Sequence, residues 1–400
     1  MKTVMIVDNE ILSDPRVMGE ARGLFNAGIE VIVLCPNYGN RPAFEKTDGI
    51  QIVRFPFPKK LRGLSFAIMN FIPIYVWYWS RIIKKFLIKY KPDIVHVHDL
   101  YMIRCAYKSV NTLHIPMVAD LHENFPAAIR EYEWTKKLPY RWIVNTAYWE
   151  KNEGNLLSKA DYIVTLSDSF ADYLSTKHPS IRRERFIQFP NVPDVRMFDK
   201  YSASAPLNDN NQGFNLFYFG VISARRGIIT TIQALELLSD LPEIRLILTG
   251  PIDKAERNEF DFWMQKPELK DRIIHYPWKE LKELPALVHS SSICLSPIEK
   301  NEQHESGVAN KVFQYMLLGS PLIVSDCRPQ AEIVTQSECG LVFRSGNEED
   351  LARQIRELYN NPDMREKMAK NGTKAIHEKY NLANSIKVLI DAYKKLKPER

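Results

Sequence analysis

Residues 305–326, ESGVANKVFQYMLLGSPLIVSD, constrain this chain more than any other stretch: a loop of small residues opens a short helix, Gly319 closes it, and an apolar strand follows. Such a helix start is built to hold an anion. Asn310 is placed to cap the helix, Lys311 sets a positive charge beside free backbone N–H groups, and Ser306-Gly307 lets a ligand approach the main chain. Val312, Phe313, Met316 and Leu317 should take the buried side, with Lys311 and Gln314 together on the other face. Taken alone, the segment fits an ordinary strand–helix–strand unit with a solvated lysine equally well.

Residues 214–238 repeat the design. An apolar run from Phe214 to Phe219 ends at Gly220, a polar loop carries Arg225 and Arg226, and after Gly227 a helical pattern places Ile228, Ile232 and Leu235 on one side. In a doubly wound sheet such loops gather at the carboxyl ends of the strands, where nucleotide phosphates sit. Further strands are expected near 245–249, 273–276, 292–296, 321–325 and 341–344. The first half alternates in the same way, with strands at Thr3–Asn9, Glu30–Cys35, Gln51–Phe55, Asp93–His98, Pro116–Leu121 and Tyr162–Leu166, and helices near 66–89, 140–158 and 168–177. Ser13-Asp14-Pro15 reads as a helix start. The pattern predicts an α/β chain with two mostly parallel sheets covered on both faces.

Four hundred residues exceed what one core organises, so two domains are expected. The boundaries fall at 1–190 for the first domain, 191–213 for a linker that includes Asn208-Asp209-Asn210-Asn211-Gln212, 214–375 for the second, and 376–400 for a closing amphipathic helix carrying Leu382, Ile386, Leu389, Ile390, Tyr393 and Leu396. The five cysteines are scattered and lack any C-x-x-C spacing, which argues against a disulfide framework or zinc knuckle and for a reducing compartment. The chain enters a strand within three residues, so no signal peptide is expected and a cytoplasmic location is.

The net charge of +6 is unevenly placed. Residues 59–91 hold Lys59, Lys60, Arg62, Arg81, Lys84, Lys85, Lys89 and Lys91 and no Asp or Glu, with eighteen uncharged residues between Arg62 and Arg81. A spanning helix needs about 20 apolar residues, and Pro73, Asn70 and two serines weaken this run. Two readings stay open: a buried helix with a basic exit, or a basic aromatic face resting on an anionic membrane at the inner side of the cell envelope. No nucleic-acid-binding signature accompanies the charge.

The whole chain resembles glycosyltransferase family 4, of the GT-B fold. The resemblance rests on Arg226-Gly227 after the first strand of the second half, on Asn-Lys-Val-Phe-Gln-Tyr-Met with Gly-Ser-Pro-Leu-Ile-Val-Ser-Asp behind it, and on Ser-Asp-Pro-Arg-Val (13–17), Pro-Asp-Ile-Val-His-Val-His-Asp (92–99), Asp-Leu-His-Glu (120–123) and Ala-Asp-Tyr-Ile-Val-Thr-Leu-Ser-Asp (160–168). It implies two Rossmann-like domains facing a cleft, with the terminal helix returning to the first. It also implies a hexosyl- or N-acetylhexosaminyltransferase that moves a sugar from a nucleotide diphosphate donor, with retention, to a lipid-linked or saccharide acceptor in envelope polysaccharide or glycolipid assembly.

On that resemblance the donor meets Gly220, Arg225, Arg226, the Ser306, Gly307 and Val308 main chain, Asn310, Lys311 and Gln314, the last standing where the family carries a ribose-binding Glu. The family's other Glu of that pair falls on Ser306 or its neighbour Glu305, and the arginine that follows the first loop's glycine is Val221. His122 resembles the family's sugar-contacting histidine, Glu123 is placed to orient the acceptor or take its proton, and Arg16 and His98 lie on the acceptor side. No Asp-x-Asp occurs, so no metal or other cofactor is expected, and the leaving diphosphate would be met by Arg226 and Lys311. A nucleotide-sugar epimerase and a catalytically silent nucleotide-sugar binding protein are the alternatives, the second because of Gln314 and Val221.

Overall fold

The computed structural model describes residues 1–11, 14–138, 140–201 and 213–397. The chain divides into two compact units: Met1–Pro190 together with the segment from Leu382 onward, and Asn191–Asn381. Ser13 and residues 202–212 of the expected linker lie outside the described residues.

The first unit is built on eight strands: β1 (Lys2–Ile6), β2 (Glu30–Asn37), β3 (Phe44–Thr47), β4 (Ile50–Pro56), β5 (Ile94–His98), β6 (Met117–Asp120), β7 (Tyr162–Thr165) and β8 (Phe186–Gln188). Their order is β3-β4-β2-β1-β5-β6-β7-β8, and only β3 runs antiparallel to its neighbour. Every residue of β5 and β6 is buried, as a sheet covered on both faces requires. One apolar layer centres on Trp79, Trp149 and Phe125, and the other on Met5, Val33 and Ile94.

The second unit holds β9 (Phe214–Phe219), β10 (Ile244–Thr249), β11 (Ile273–Tyr276), β12 (Ile293–Ser296), β13 (Leu322–Ser325) and β14 (Gly340–Phe343). All are parallel, in the order β11-β10-β9-β12-β13-β14. The chain moves outward one way from β9 and the other way from β12. A crevice therefore opens between the loops that follow these two strands, at their carboxyl ends.

Several expectations change. The helix expected over 66–89 is two, Lys59–Ala67 and Ile74–Tyr90, separated by a turn that ends on Pro73, because the residue before a proline is driven out of helical geometry. The 140–158 helix is likewise split, and Asn145 caps the second piece by accepting from Tyr148 N at 3.0 Å. Short β3 and β8 carry too few residues to show a periodicity. Residues 191–201 are not linker: Val195–Tyr201 is a helix of the second unit, and its Phe198 is buried against the cluster of Phe219 and Leu284. The helix Pro362–Glu378 runs past the expected boundary at 375, and the crossing comes between Asn381 and Leu382.

The terminal helix Leu382–Leu396 belongs to the first unit, where Ile386, Leu389 and Tyr393 are buried beside Met5, Val31 and Ile94. Gly23 makes room for it, since a Cβ there would stand 2.3 Å from Ile386 Cγ1. Leu389→Ala should cost about 2–5 kcal/mol in denaturant unfolding, while Val388→Ala, on the exposed side of the same helix, should change stability by no more than about 0.5 kcal/mol.

Candidate functional site

In the second unit the loops after β9 and β12 are fixed to each other before any ligand is considered. Glu299 N donates to the Arg225 carbonyl at 3.1 Å, and Gly227 adopts a φ of 72° with its α-carbon so close to Pro297 that an added Cβ would lie 1.7 Å from the carbonyl oxygen. Only glycine fits there. Ala224–Arg226 forms a single 3₁₀ turn, held by the Glu256 carboxylate, which accepts from Ala224 N. Arg226 is thereby half-buried at the crevice, and Arg225 is exposed beside it.

The helix Asn310–Leu317 begins opposite. Tyr315 Oη accepts from Phe219 N at 2.9 Å, tying the helix to the end of β9. Lys311 is not on a solvated face. It is buried, its ammonium 3.6 Å from the centre of the Tyr218 ring and 3.2 Å from where a Cβ on Gly220 would be. Gly220, at φ 141°, is what leaves the space. Among the described residues no carboxylate pairs with Lys311 or Arg226. Burial, and then the Arg226 charge, push the Lys311 ammonium well below its ordinary value, and burial likewise lowers Arg226. Two desolvated cations without a counter-ion are a costly arrangement that a bound anion relieves.

The rest of the expected set sorts by environment. Asn310 is exposed and is the first helical residue, so it cannot cap; Ala309 holds the cap position and the first amides have no side-chain partner. Of the apolar set, Leu317 is half-buried and Tyr315 takes a core place. Gln314 and Gly307 are half-buried, and Val308 is packed into the core beneath the loop. Ser306 is buried and donates to the Gln303 carbonyl at 2.6 Å, whereas Glu305 accepts from Arg328 N at 3.1 Å at the start of the next helix. Sequence reasoning missed His304. Its Nδ1 lies 2.6 Å from the Glu299 carbonyl, so the proton is there, and its buried Nε2 has no partner. Burial, with Arg226, Arg225 and Lys311 nearby, pulls it down to about 4, so the ring is a neutral acceptor at pH 7.

The first unit has a second cluster at the ends of β5 and β6. Asp120 is buried and accepts from Arg16 Nε and Nη2 at 3.1 and 2.7 Å, with His98 Nδ1 and His122 Nε2 at 3.2 and 3.1 Å. Arg16 also donates to the Phe189 carbonyl at 2.7 Å and lies 3.3 Å from Glu20. Arg16 and His98, expected on the acceptor side, are both buried in this network, with the guanidinium lying against two carboxylates. Glu20, His96, His98 and Asp120 offer ligand atoms within 4.8 Å of one another. Arg16 already supplies the positive charge those carboxylates require.

His122 keeps a partly open side chain, and the charges of Asp120 and Asp99 raise it to about 9 against the burial that opposes them. It is an imidazolium at pH 7, a donor and not a base. Asp99 stands 3.9 Å from His122 Nδ1 and sits at φ 72°, ψ 142°, a conformation that costs a side-chain-bearing residue about 1–3 kcal/mol and persists where function demands it. Only its neighbours in space reveal it; nothing in the sequence marks the strain. Glu123 accepts from Tyr132 Oη and, with Asp99, Arg62 and the aromatic walls of Phe66, Trp134 and Tyr140, lines a cavity of about 440 Å³.

Two family descriptions match this chain: Glycosyltransferase Family 4 over residues 16–195 and Glycosyl transferases group 1 over residues 200–375. The chain belongs to the family 4 glycosyltransferases. It is 22% identical over 388 residues to a Methanocaldococcus jannaschii protein described as an uncharacterized glycosyltransferase, covering 92% of this chain and 89% of the other. It is 23% identical over 179 residues to the capsular polysaccharide biosynthesis glycosyltransferase CapM of Staphylococcus aureus, covering 44% and 43%. Among solved structures, Alr3699/HepE of Anabaena in complex with UDP-glucose matches with a TM-score of 0.70 at 13% identity over 99% of this chain and all of that one. The fold is GT-B.

The raised His122 group makes a testable claim on stability. Because its folded value of about 9 exceeds the ordinary 6.5, its stabilisation is complete below pH 6.5 and is lost as pH rises through 9. The stability advantage of the wild type over His122→Gln should therefore shrink by roughly 2–3 kcal/mol between pH 6.5 and pH 9.5, read from urea unfolding at each pH.

Proposed function

We propose that this glycosyltransferase takes its sugar from a nucleoside diphosphate sugar bound in the second unit and passes it, with retention, to an acceptor of envelope polysaccharide or glycolipid assembly. The observation that carries the reading is the pair of cations without a carboxylate partner among the described residues, buried Lys311 and half-buried Arg226, at the strand-order reversal. The likeness to an enzyme solved with UDP-glucose supports the donor class, and the likeness to CapM supports the polysaccharide setting.

In this reading the bond from the anomeric carbon to the diphosphate oxygen breaks, the electron pair leaves on the diphosphate, and the acceptor oxygen bonds the same carbon. Arg226 pairs with phosphate through its planar fork, and Lys311 adds a point charge inside a poorly solvated pocket, where its effect is strongest. Gln314 accepts from a ribose hydroxyl through its amide oxygen, and His304 Nε2 is a further neutral acceptor beside the cations. On the acceptor side, within the first unit, Glu123 takes the hydroxyl proton and the His122 imidazolium donates to the sugar. The transferred group is a hexosyl or N-acetylhexosaminyl unit, and the cations perform the role that a metal performs elsewhere.

The deciding experiment incubates the protein with UDP-, GDP- and ADP-sugars, with and without a panel of lipid-linked and free saccharide acceptors. Transfer should require an acceptor and persist in a chelator. Arg226→Gln and Lys311→Met should each lower the rate about 10²–10³-fold, with the unfolding midpoint held for the first and held or raised for the second, since it removes a buried charge. Loss of activity in chelator, wild-type rates in the double variant, or conversion of donor alone to an epimer would each overturn this assignment.

A further inference from the structure

The cation-rich segment forms an exposed face of the first unit. On the helix Ile74–Tyr90, Tyr75, Trp79, Ile83, Phe86 and Leu87 are buried, while Ile74, Trp77, Arg81, Lys84 and Ile88 recur at three- and four-residue spacing on the opposite, more exposed side. Phe71, Ile72, Ile74 and Trp77 are each more than half exposed, and the Arg81 guanidinium lies 5.7 Å from the Trp77 ring centre. The neighbouring segment is tied on by Phe66 against Trp134 and by Asn70 Nδ2 donating to the Asn145 carbonyl at 3.3 Å. It adds Leu138 and Trp142, exposed by 62% and 76%, beside the exposed cations Lys137 and Arg141.

Phe71, Ile72, Ile74 and Trp77, four large apolar side chains open to solvent within seven residues and followed by cations along the same helix, mark an interaction surface. The charge says which kind. Residues 59–91 contain no acid, and apart from Arg62, which pairs with Asp8, their cations have no carboxylate partner among the described residues, so a second copy brought face to face would set cation against cation. Among the described residues no helix is long and apolar enough to cross a membrane. Aromatic side chains interleaved with Lys and Arg along one helix face are what the boundary layer of a bilayer accommodates: rings at headgroup depth, stems of the basic residues along them, and charges on lipid phosphate.

We propose that this face docks the enzyme on an anionic lipid bilayer, with Phe71, Ile72, Trp77 and Trp142 entering the headgroup layer and Lys84, Lys85, Lys137 and Arg141 among the cations that meet its phosphates. The inference stands apart from the donor reading, because none of these residues belongs to the second unit. It also gives the aromatic cavity a setting. Phe66, Trp134 and Tyr140, which line the cavity, belong to the same two stretches of chain as the docking residues.

The test is co-sedimentation of the full chain with phosphatidylglycerol-containing vesicles and with phosphatidylcholine vesicles, across a salt series. Binding should be strong on the anionic vesicles at low salt, fall as salt rises and be weak on the neutral ones. Lys84→Gln with Lys85→Gln should weaken it about thirty-fold, from the usual contribution of about 1 kcal/mol per surface cation. The triple variant Phe71→Ser, Trp77→Ser, Trp142→Ser should weaken it by at least ten-fold although it removes no charge. Both variants should keep the wild-type unfolding midpoint and the wild-type thermal shift with nucleoside diphosphate, which separates a folding defect or a failed donor assignment from a failed membrane face. Absence of binding at low salt, equal binding to neutral vesicles, or wild-type binding by either variant would overturn the proposal. So would a stable dimer that ignores vesicles and is dispersed by the triple variant.

Discussion

The second unit is organised around an electrostatic debt: a lysine ammonium held under a tyrosine ring, beside an arginine, with no carboxylate to answer either among the described residues. Burying such a charge is expensive, and folds remove that expense wherever they can. Here the surrounding chain is arranged to keep it. Gly220 and Gly227 admit approaches that any other residue would block, Tyr315 fixes the helix to the end of β9, and Glu256 is spent on the backbone of the arginine turn rather than on a guanidinium. The arrangement is intelligible once the missing partner is an anion that comes and goes.

The first unit treats buried charge in the opposite way. Asp120 is met by Arg16, His98 and His122, while Glu20 lies 3.3 Å from Arg16 with its buried carboxyl making no hydrogen bond among the described residues and pushed well above its ordinary value by burial. The outermost member of this network, His122, is the one that stays partly open, and the Asp120 carboxylate keeps it charged. A compensated core thus hands a permanent donor to the surface, next to a strained Asp99 and an aromatic cavity.

Much of this was legible in the residues, and the limits are physical. Alternating apolar runs and helical stripes located most strands, because a parallel sheet buried on both faces has no other way to be written. Gly220, Arg226 and Lys311 stand out in the sequence as a glycine and two cations at strand-to-helix loops, and the structure brings the three together. What spacing could not reveal was which polar side chains pair across the fold. Arg16 is expected on the acceptor side, yet Asp120, far along the chain, is brought against it, and Lys311, whose segment fits a solvated lysine in the sequence, is covered by Tyr218. Pro73 weakens an apolar run in the sequence, yet its consequence, a break exposing Phe71 and Ile72, depends on what the two helices on either side can bury.

The measurement that bears most directly on the central claim is the titration of Lys311 itself, followed by ε-carbon NMR with the signal assigned by a Lys311→Met variant. Without nucleotide the ammonium should titrate well below its ordinary 10.5, and saturation with the preferred nucleoside diphosphate should carry it back up, because the bound phosphate supplies the charge the fold withholds. A lysine that titrates at its ordinary value in the free protein, or one whose depressed value the diphosphate leaves unmoved, would contradict this account.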